Sequence, residues 1–272
     1  NVRSTRMGPA GAFGHGVEIQ GGRLTVVDSL LVEDSVGGGL LVGEGGGLVE
    51  GGEVIVRGTR AATSELDAVG IGVALDGELR VERVLVEDTD GIGLAVENLA
   101  VADVDHLELL SSANVGLFAT GGSARVYLRS GRVEGVSLPT TRPGGGLGVA
   151  SQLGAWVDAT ELVVRDTTGP GLYVPPGGTL DCVDCLIERN GFASALVIGG
   201  LARLTGGWIR ESVCNARGGG VGVFGWTLDD TEMQTVLQLE GVEISDHEGP
   251  GVYLRGIGSY TLTVVSSSKG PP

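Results

Sequence analysis

Several things are scarce in this chain. Aromatic residues make up only 4% of its 272 residues, so a core has to be aliphatic, built from Val, Leu, Ile and Ala. Proline is low, with 9 residues against 51 glycines. High glycine without high proline, serine or glutamine is not the composition of a disordered chain. No strict Gly-X-Y period runs through it, which excludes collagen. Basic residues are few, 18 against 34 acidic ones, for a formal net charge of −16. Such a surface repels phosphate backbones and anionic lipid headgroups, so nucleic acid and membrane surfaces are not expected partners. No apolar run reaches the roughly 18 residues of a spanning helix, so no membrane insertion is expected. The cysteines, Cys182, Cys185 and Cys214, are uninformative by number. Asn1 is not an initiator Met and the first repeat begins almost at once, which reads as a processed or trimmed product whose missing signal peptide says nothing about secretion.

What is present is a repeat. A small residue followed by apolar–x–apolar recurs ten times: at Gly16-Val17-Glu18-Ile19, Gly39-Leu40-Leu41-Val42, Gly72-Val73-Ala74-Leu75, Gly93-Leu94-Ala95-Val96, Gly116-Leu117-Phe118-Ala119, Gly148-Val149-Ala150-Ser151, Gly171-Leu172-Tyr173-Val174, Ala195-Leu196-Val197-Ile198, Gly222-Val223-Phe224-Gly225 and Gly251-Val252-Tyr253-Leu254. The common step between copies is 21–24 residues, with longer ones interspersed. Between copies lie two short alternating pieces around a tight corner, as in Leu79-Arg80-Val81 then Val84-Leu85-Val86. Each repeat therefore holds three strands of about three residues with period-two alternation. Such strands cannot stand alone. They are stable when each pairs in parallel with its copy in the next repeat, so that inward residues form continuous apolar ladders. Glycine and β-branched residues disfavour a helical repeat. The expected fold is all-β: a right-handed single-stranded parallel β-helix solenoid of about ten coils. It is expected as a single domain over residues 1–272, with coils over about 16–265 and a polar tail at 266–272.

The G-φ-x-φ copies, with turns such as Asp88-Thr89-Asp90-Gly91-Ile92-Gly93 and Asp166-Thr167-Thr168-Gly169-Pro170-Gly171, resemble the pectin-lyase-like right-handed β-helix superfamily from Gly16 to Leu254. The bacterial surface or secreted type is the nearest likeness. The resemblance implies an extracellular, cell-surface or periplasmic location, and it is nearly silent on activity, because that superfamily holds lyases, hydrolases, epimerases, tailspikes and surface proteins. In its enzymes the active groove commonly runs along the first strand and the loops beside it. The outward residues there read Glu18, Leu41, Ala74, Ala95, Phe118, Ala150, Tyr173, Val197, Phe224 and Tyr253. Only one is charged. A lyase of this kind would show an aspartate cluster for calcium with a nearby Arg or Lys base, and a hydrolase two or three carboxylates at acid/base separation. Neither falls on the stripe.

Phe118, Tyr173, Phe224 and Tyr253 are instead the candidate binding residues. Three readings stay open for them: loops fold over the stripe and bury it, a protein docks there, or sugar rings stack on it. Expanded corners at Val133–Val149, Ile209–Val223 and Thr59–Gly70 border the stripe. Asp34, Asp88, Asp166 and Asp246, with Asn114 and Asn190 nearby, recur in the corner before the first strand. They read as turn residues that tolerate left-handed backbone rather than a calcium row. His106 and His247 read as surface turn residues, and His15, in Gly14-His15-Gly16, is not expected to be catalytic. Cys182 and Cys185 take inward positions, as buried small residues or as a disulfide across a corner. No metal or cofactor is expected. The function expected from these features is a non-catalytic extracytoplasmic surface or structural protein for adhesion or assembly. Its partner would be a protein or a second copy, with polysaccharide as the other ligand class. The alternative is a polysaccharide-active lyase or hydrolase with loop carboxylates from Asp229, Asp230, Glu232, Asp246 and Glu248.

Overall fold

The computed structural model describes residues 2–3, 14–62, 68–137, 146–215, 218–227, 234–256 and 258–264. They contain no helix, and 22 strands join in one sheet whose pairings are all parallel. The pairings resolve into three ladders. In the first, the inward residues pair in the order Val17, Leu40, Ile71, Leu94, Leu117, Val149, Leu172, Ala195, Val223 and Val252. The second runs from Leu24 through Val49, Leu79, Ala102, Val126, Val157, Leu180, Ala202 and Leu237 to Tyr260. The third contains Val32, Val86, Leu109, Val133, Val164, Ile187, Ile209 and Ile244, all in sequence register, with Val56 as a further member between Val32 and Val86. Side chains from all three ladders meet in one continuous aliphatic core.

The register corrects two of the sequence frames. Gly72 rather than Ala74 pairs with Leu41 and Ala95, and Leu196 rather than Val197 pairs with Tyr173 and Phe224. Residues 69–75 contain two overlapping small–apolar–x–apolar frames two residues apart, and the alternation alone does not separate them. The corner does. With the register corrected, the ordinary step is 23 residues, as between Ile71 and Leu94 or Leu172 and Ala195.

The recurrent glycine sits where the third strand turns into the first, and it is small because there is no space. A Cβ on Gly39, Gly70, Gly116 or Gly148 would lie 2.3–2.4 Å from the Cγ1 of Val56, Val86, Val133 or Val164. Ser194 takes this place in one repeat, and its hydroxyl lies 2.6 Å from that of Ser212. The corner itself is made by a residue in left-handed backbone. Asp34, Asp88, Asp166 and Asp246 occupy it, as do Ser111, Arg189 and Glu211 elsewhere in the stack, with φ of 51–60°. The aspartate row is thus turn chemistry, since aspartate is among the few non-glycine residues that visit this region readily.

One residue further on, the chain points inward again, and here the interior is polar. Ser35, Thr59, Thr89, Ser112, Thr167, Asn190 and Ser212 are buried in this slot, interrupted by Val136. Ser35 and Thr59 hydroxyls lie 3.3 Å apart, Thr167 Oγ1 donates to Asn190 Oδ1 at 2.9 Å, and Asn190 Nδ2 donates to the Val164 carbonyl at 3.1 Å. Asn190 therefore belongs to this inner row and not to the aspartate corner. His247 ends the row, and its Nδ1 accepts the Ser212 amide at 3.1 Å. This overturns its reading as a surface turn residue; the Asp246 carboxyl beside it is the corner residue. His106 does lie on the surface, its Nδ1 2.9 Å from Ser130 Oγ. Cys182 and Cys185 both point inward, are buried, and are joined in a disulfide with Cα atoms 6.0 Å apart.

Two measurements check this construction. Gly116→Ala should lower stability by about 1–3 kcal/mol, the usual cost of overpacking, whereas Gly122→Ala, whose Cβ meets nothing within 4 Å, should stay within about 0.5 kcal/mol in denaturant melts. Burial holds the His247 imidazole below its ordinary value, outweighing the Ile209 carbonyl and Asp246. The unfolded chain then binds the proton more tightly, so stability should be full above the unfolded value of about 6.5 and decline as pH falls below it. Melts between pH 8 and pH 5 should show that decline in the wild type and a shallower one in His247→Gln.

Candidate functional site

Three outward faces are available for function, and they differ in chemistry. The third ladder's face carries a row of alternating charge. Arg57 pairs with Glu87 at 2.6 Å, Arg165 with Glu134 at 2.8 Å, and Arg210 with Glu188 at 2.8 Å. Each cation answers a carboxylate one strand away, so the face is largely self-satisfied. Exposed pairs of this kind contribute about 0–1 kcal/mol each.

The first ladder's face is the one marked by the sequence. Its outward column is Glu18, Leu41, Gly72, Ala95, Phe118, Ala150, Tyr173, Leu196, Phe224 and Tyr253, so the four candidate aromatics do share one column. They do not share one environment. Tyr253 is 43% exposed, while Phe118, Tyr173 and Phe224 are half-buried. Tyr173 and Phe224 pack with Phe192, Ile198, Ala193, Leu196 and Val221 in a second, small apolar cluster outside the main core. Burial raises the Tyr173 phenol above its ordinary value.

The residue that completes this cluster, Phe192, was not marked by the sequence pattern, because it belongs to a corner rather than to a strand. Its backbone is left-handed, with φ of 68°, which is unusual for a bulky residue. Its ring centroid lies 6.1 Å from Phe224, and Phe224 lies 5.0 Å from Tyr253. The expanded segment after Ile209 holds it there. Phe192 N donates to the Val213 carbonyl and its own carbonyl accepts from Val221 N. Between those two anchors, Cys214–Asn215 and Gly218–Gly219 pair antiparallel. Glu248 braces the same hairpin by accepting the Cys214 amide at 2.5 Å. Of the remaining loop carboxylates considered for catalysis, Asp246 forms its left-handed corner, and Asp229, Asp230 and Glu232 lie outside the described residues. Residues 63–67 and 138–145 of the expanded corners also lie outside them.

The other half of the face is a depression. Because Gly72 and Ala95 bring no bulk to the column, a cavity of about 270 Å³ opens there. Leu41, Gly72, Ala74, Leu75 and Ala95 line it, with Glu18, Glu44 and Glu97 at its edges. The Glu18 carboxyl is held below its usual range by the hydrogen bond to His15 Nδ1 at 3.0 Å, aided by Gln20. The sequence pattern concealed this cavity, since the misframed third repeat placed Ala74 in the column instead of Gly72. Among the described residues no group of three or more His, Cys, Asp or Glu side chains is placed to hold a metal ion. Among the same residues no helix is long and apolar enough to cross a membrane.

No protein-family model, curated protein or solved structure matches this chain.

The half-burial of Tyr173 and Phe224 sets their cost. The double change Tyr173→Ser with Phe224→Ser should lower stability by about 3 kcal/mol, near the low end for truncated core aromatics. Tyr253→Ser alone should cost under about 1 kcal/mol. Chemical denaturation of the two variants beside the wild type provides the measurement.

Proposed function

We propose that the three ladders wind as a right-handed parallel β-helix of about ten coils, in the manner of the pectin-lyase-like superfamily. On this reading the chain is a non-catalytic extracytoplasmic scaffold for adhesion or assembly. It docks a protein partner, in the first instance a second copy, across the first ladder's face. The observation that carries this is the outward column of that ladder. From Leu41 to Tyr253 it contains no charge, yet it is left partly open, with a cavity at Gly72 and Ala95 and an exposed ring at Tyr253. On a chain of net charge −16, a column of this length without a charge, open at the Gly72 and Ala95 cavity and at Tyr253, favours a contact surface. The buried disulfide fits an oxidising compartment, which supports an extracellular, surface or periplasmic location.

The second reading, a polysaccharide-active enzyme, draws support from the carboxylates Glu18, Glu44 and Glu97 at the cavity edge. The two readings separate in one pair of experiments. Sedimentation velocity over a range of concentrations should show self-association of the wild type, weakened by Leu41→Asp or Tyr253→Asp at unchanged secondary structure. Incubation with neutral and acidic polysaccharides should release no reducing or unsaturated ends. A monomer that releases such ends, and stops doing so as Glu97→Gln, replaces the scaffold with the enzyme.

A further inference from the structure

The second ladder's outward face resembles neither of the other two. Its central column runs in register through Arg80, Asp103, Tyr127, Asp158, Asp181 and Arg203, so successive positions offer a hydrogen-bonding or aromatic side chain. Beside the column stands Trp156. Its indole Nε1 donates to Asp181 Oδ2 at 3.0 Å, and its ring meets Tyr127 edge-on, at 6.1 Å between centroids and 69° between planes. The Arg125 guanidinium lies 5.6 Å from the Trp156 ring and is itself tied to the Ala124 and Gly154 carbonyls. Arg203 donates to both Asp181 oxygens, at 3.1 and 3.2 Å. The Trp156 ring is therefore fixed in orientation by polar groups, and the Tyr127 ring rests edge-on against it while remaining 37% exposed.

Within this arrangement the Asp158 carboxylate has no hydrogen bond or ion pair among the described residues. In register it stands between Tyr127 and Asp181. Partial burial, with Asp181 as neighbour, raises its carboxyl above the ordinary value. On the other side of Tyr127 the face dips into a depression of about 250 Å³. Its walls are Arg80, Glu82, Asp103, Asp105 and Arg129, and Gly51 contributes no side chain to fill it. Arg129 pairs with Asp105 at 2.5 Å and Arg80 with Glu78 at 2.6 Å.

We propose that this face, from the depression beside Arg80 and Arg129 across Tyr127 and Trp156 to Asp181 and Arg203, binds a linear, uncharged polysaccharide laid along the stacking direction. The chemistry selects that ligand. Fixed aromatic rings present an apolar surface to the CH-rich side of a sugar ring. Carboxylates and guanidinium groups that already neutralise one another offer directed hydrogen bonds to hydroxyls without demanding a counter-charge. Asp158, lacking a donor from the protein, takes one from a sugar hydroxyl. The depression is walled by charged side chains, which excludes a lipid or an apolar peptide, and the acidic surplus of the chain disfavours an anionic polymer. Neighbouring strands lie about 4.8 Å apart, so an extended chain running along the column meets a fresh set of groups at each sugar. The site is independent of the docking face on the first ladder.

The test is titration calorimetry of the full chain with cellohexaose, laminarihexaose, mannohexaose and hexagalacturonate. At least one neutral hexasaccharide should bind in preference to hexagalacturonate. Tyr127→Ala should weaken it at least about tenfold, equivalent to about 1.4 kcal/mol, without lowering the melting temperature. Asp158→Asn should weaken binding and flatten its pH dependence, whereas Tyr253→Ser on the first face should leave it unchanged. The proposal is overturned if no neutral hexasaccharide binds at millimolar concentration, if hexagalacturonate binds as tightly, if Tyr127→Ala has no effect, or if Tyr253→Ser abolishes binding and so moves the sugar to the other face.

Discussion

The rest of the structure depends on how closely the third strand of each repeat turns into the first. Gly39, Gly70, Gly116 and Gly148 would each drive a Cβ to within 2.3–2.4 Å of a valine methyl, so a full side chain there would separate the two strands. The left-handed residue ahead of this position, such as Asp88 or Asp166, redirects the chain in a single step. Together they fix where the inward alternation restarts. The core is then filled almost wholly by Val, Leu, Ile and Ala, because a narrow interior bounded by three short strands leaves little room for rings. The scarcity of aromatic residues and the abundance of glycine are two expressions of one steric limit.

That limit also explains what the sequence made legible and what it did not. The inward members of the third ladder could be named in advance because valine, leucine and isoleucine alternate there with charged or polar neighbours, and the structure adds only Val56. Cys182 and Cys185 followed from the same alternation. The frame failed at Gly70-Ile71-Gly72-Val73 and at Ser194-Ala195-Leu196-Val197, where small and apolar residues follow one another and alternation carries no sign. Clearance at the corner, a three-dimensional quantity, selects the frame. The inner row from Ser35 to His247 escaped notice for a related reason. Serine and threonine beside a turn read as solvent-facing, and nothing local in the chain reveals that they lie against the corner glycine of the preceding repeat, as Thr59 does against Gly39 and Thr89 against Gly70.

The candidate sites show the same division. That Phe118, Tyr173, Phe224 and Tyr253 form one column was readable, since a column is a matter of register. Their unequal exposure was not, because it depends on Phe192 and on the hairpin pinned between Val213 and Val221, both outside the repeating positions. The Tyr127, Trp156 and Asp158 arrangement was missed because those residues occupy unremarkable places in two successive repeats, and only the pairing of their strands brings Tyr127 beside the other two.

The expanded corners add eight or nine residues to an ordinary step of 23 between Leu40 and Ile71 and between Leu117 and Val149, yet both pairs remain in register. Length at that corner is decoupled from the architecture, as befits an assembly whose units touch only their immediate neighbours. Variation can thus accumulate in one place without a structural toll. The molecule behaves like a ruled page with open margins: the lines are set by glycine and valine, and what is written beside them can change in length and content while the lines stay where they are.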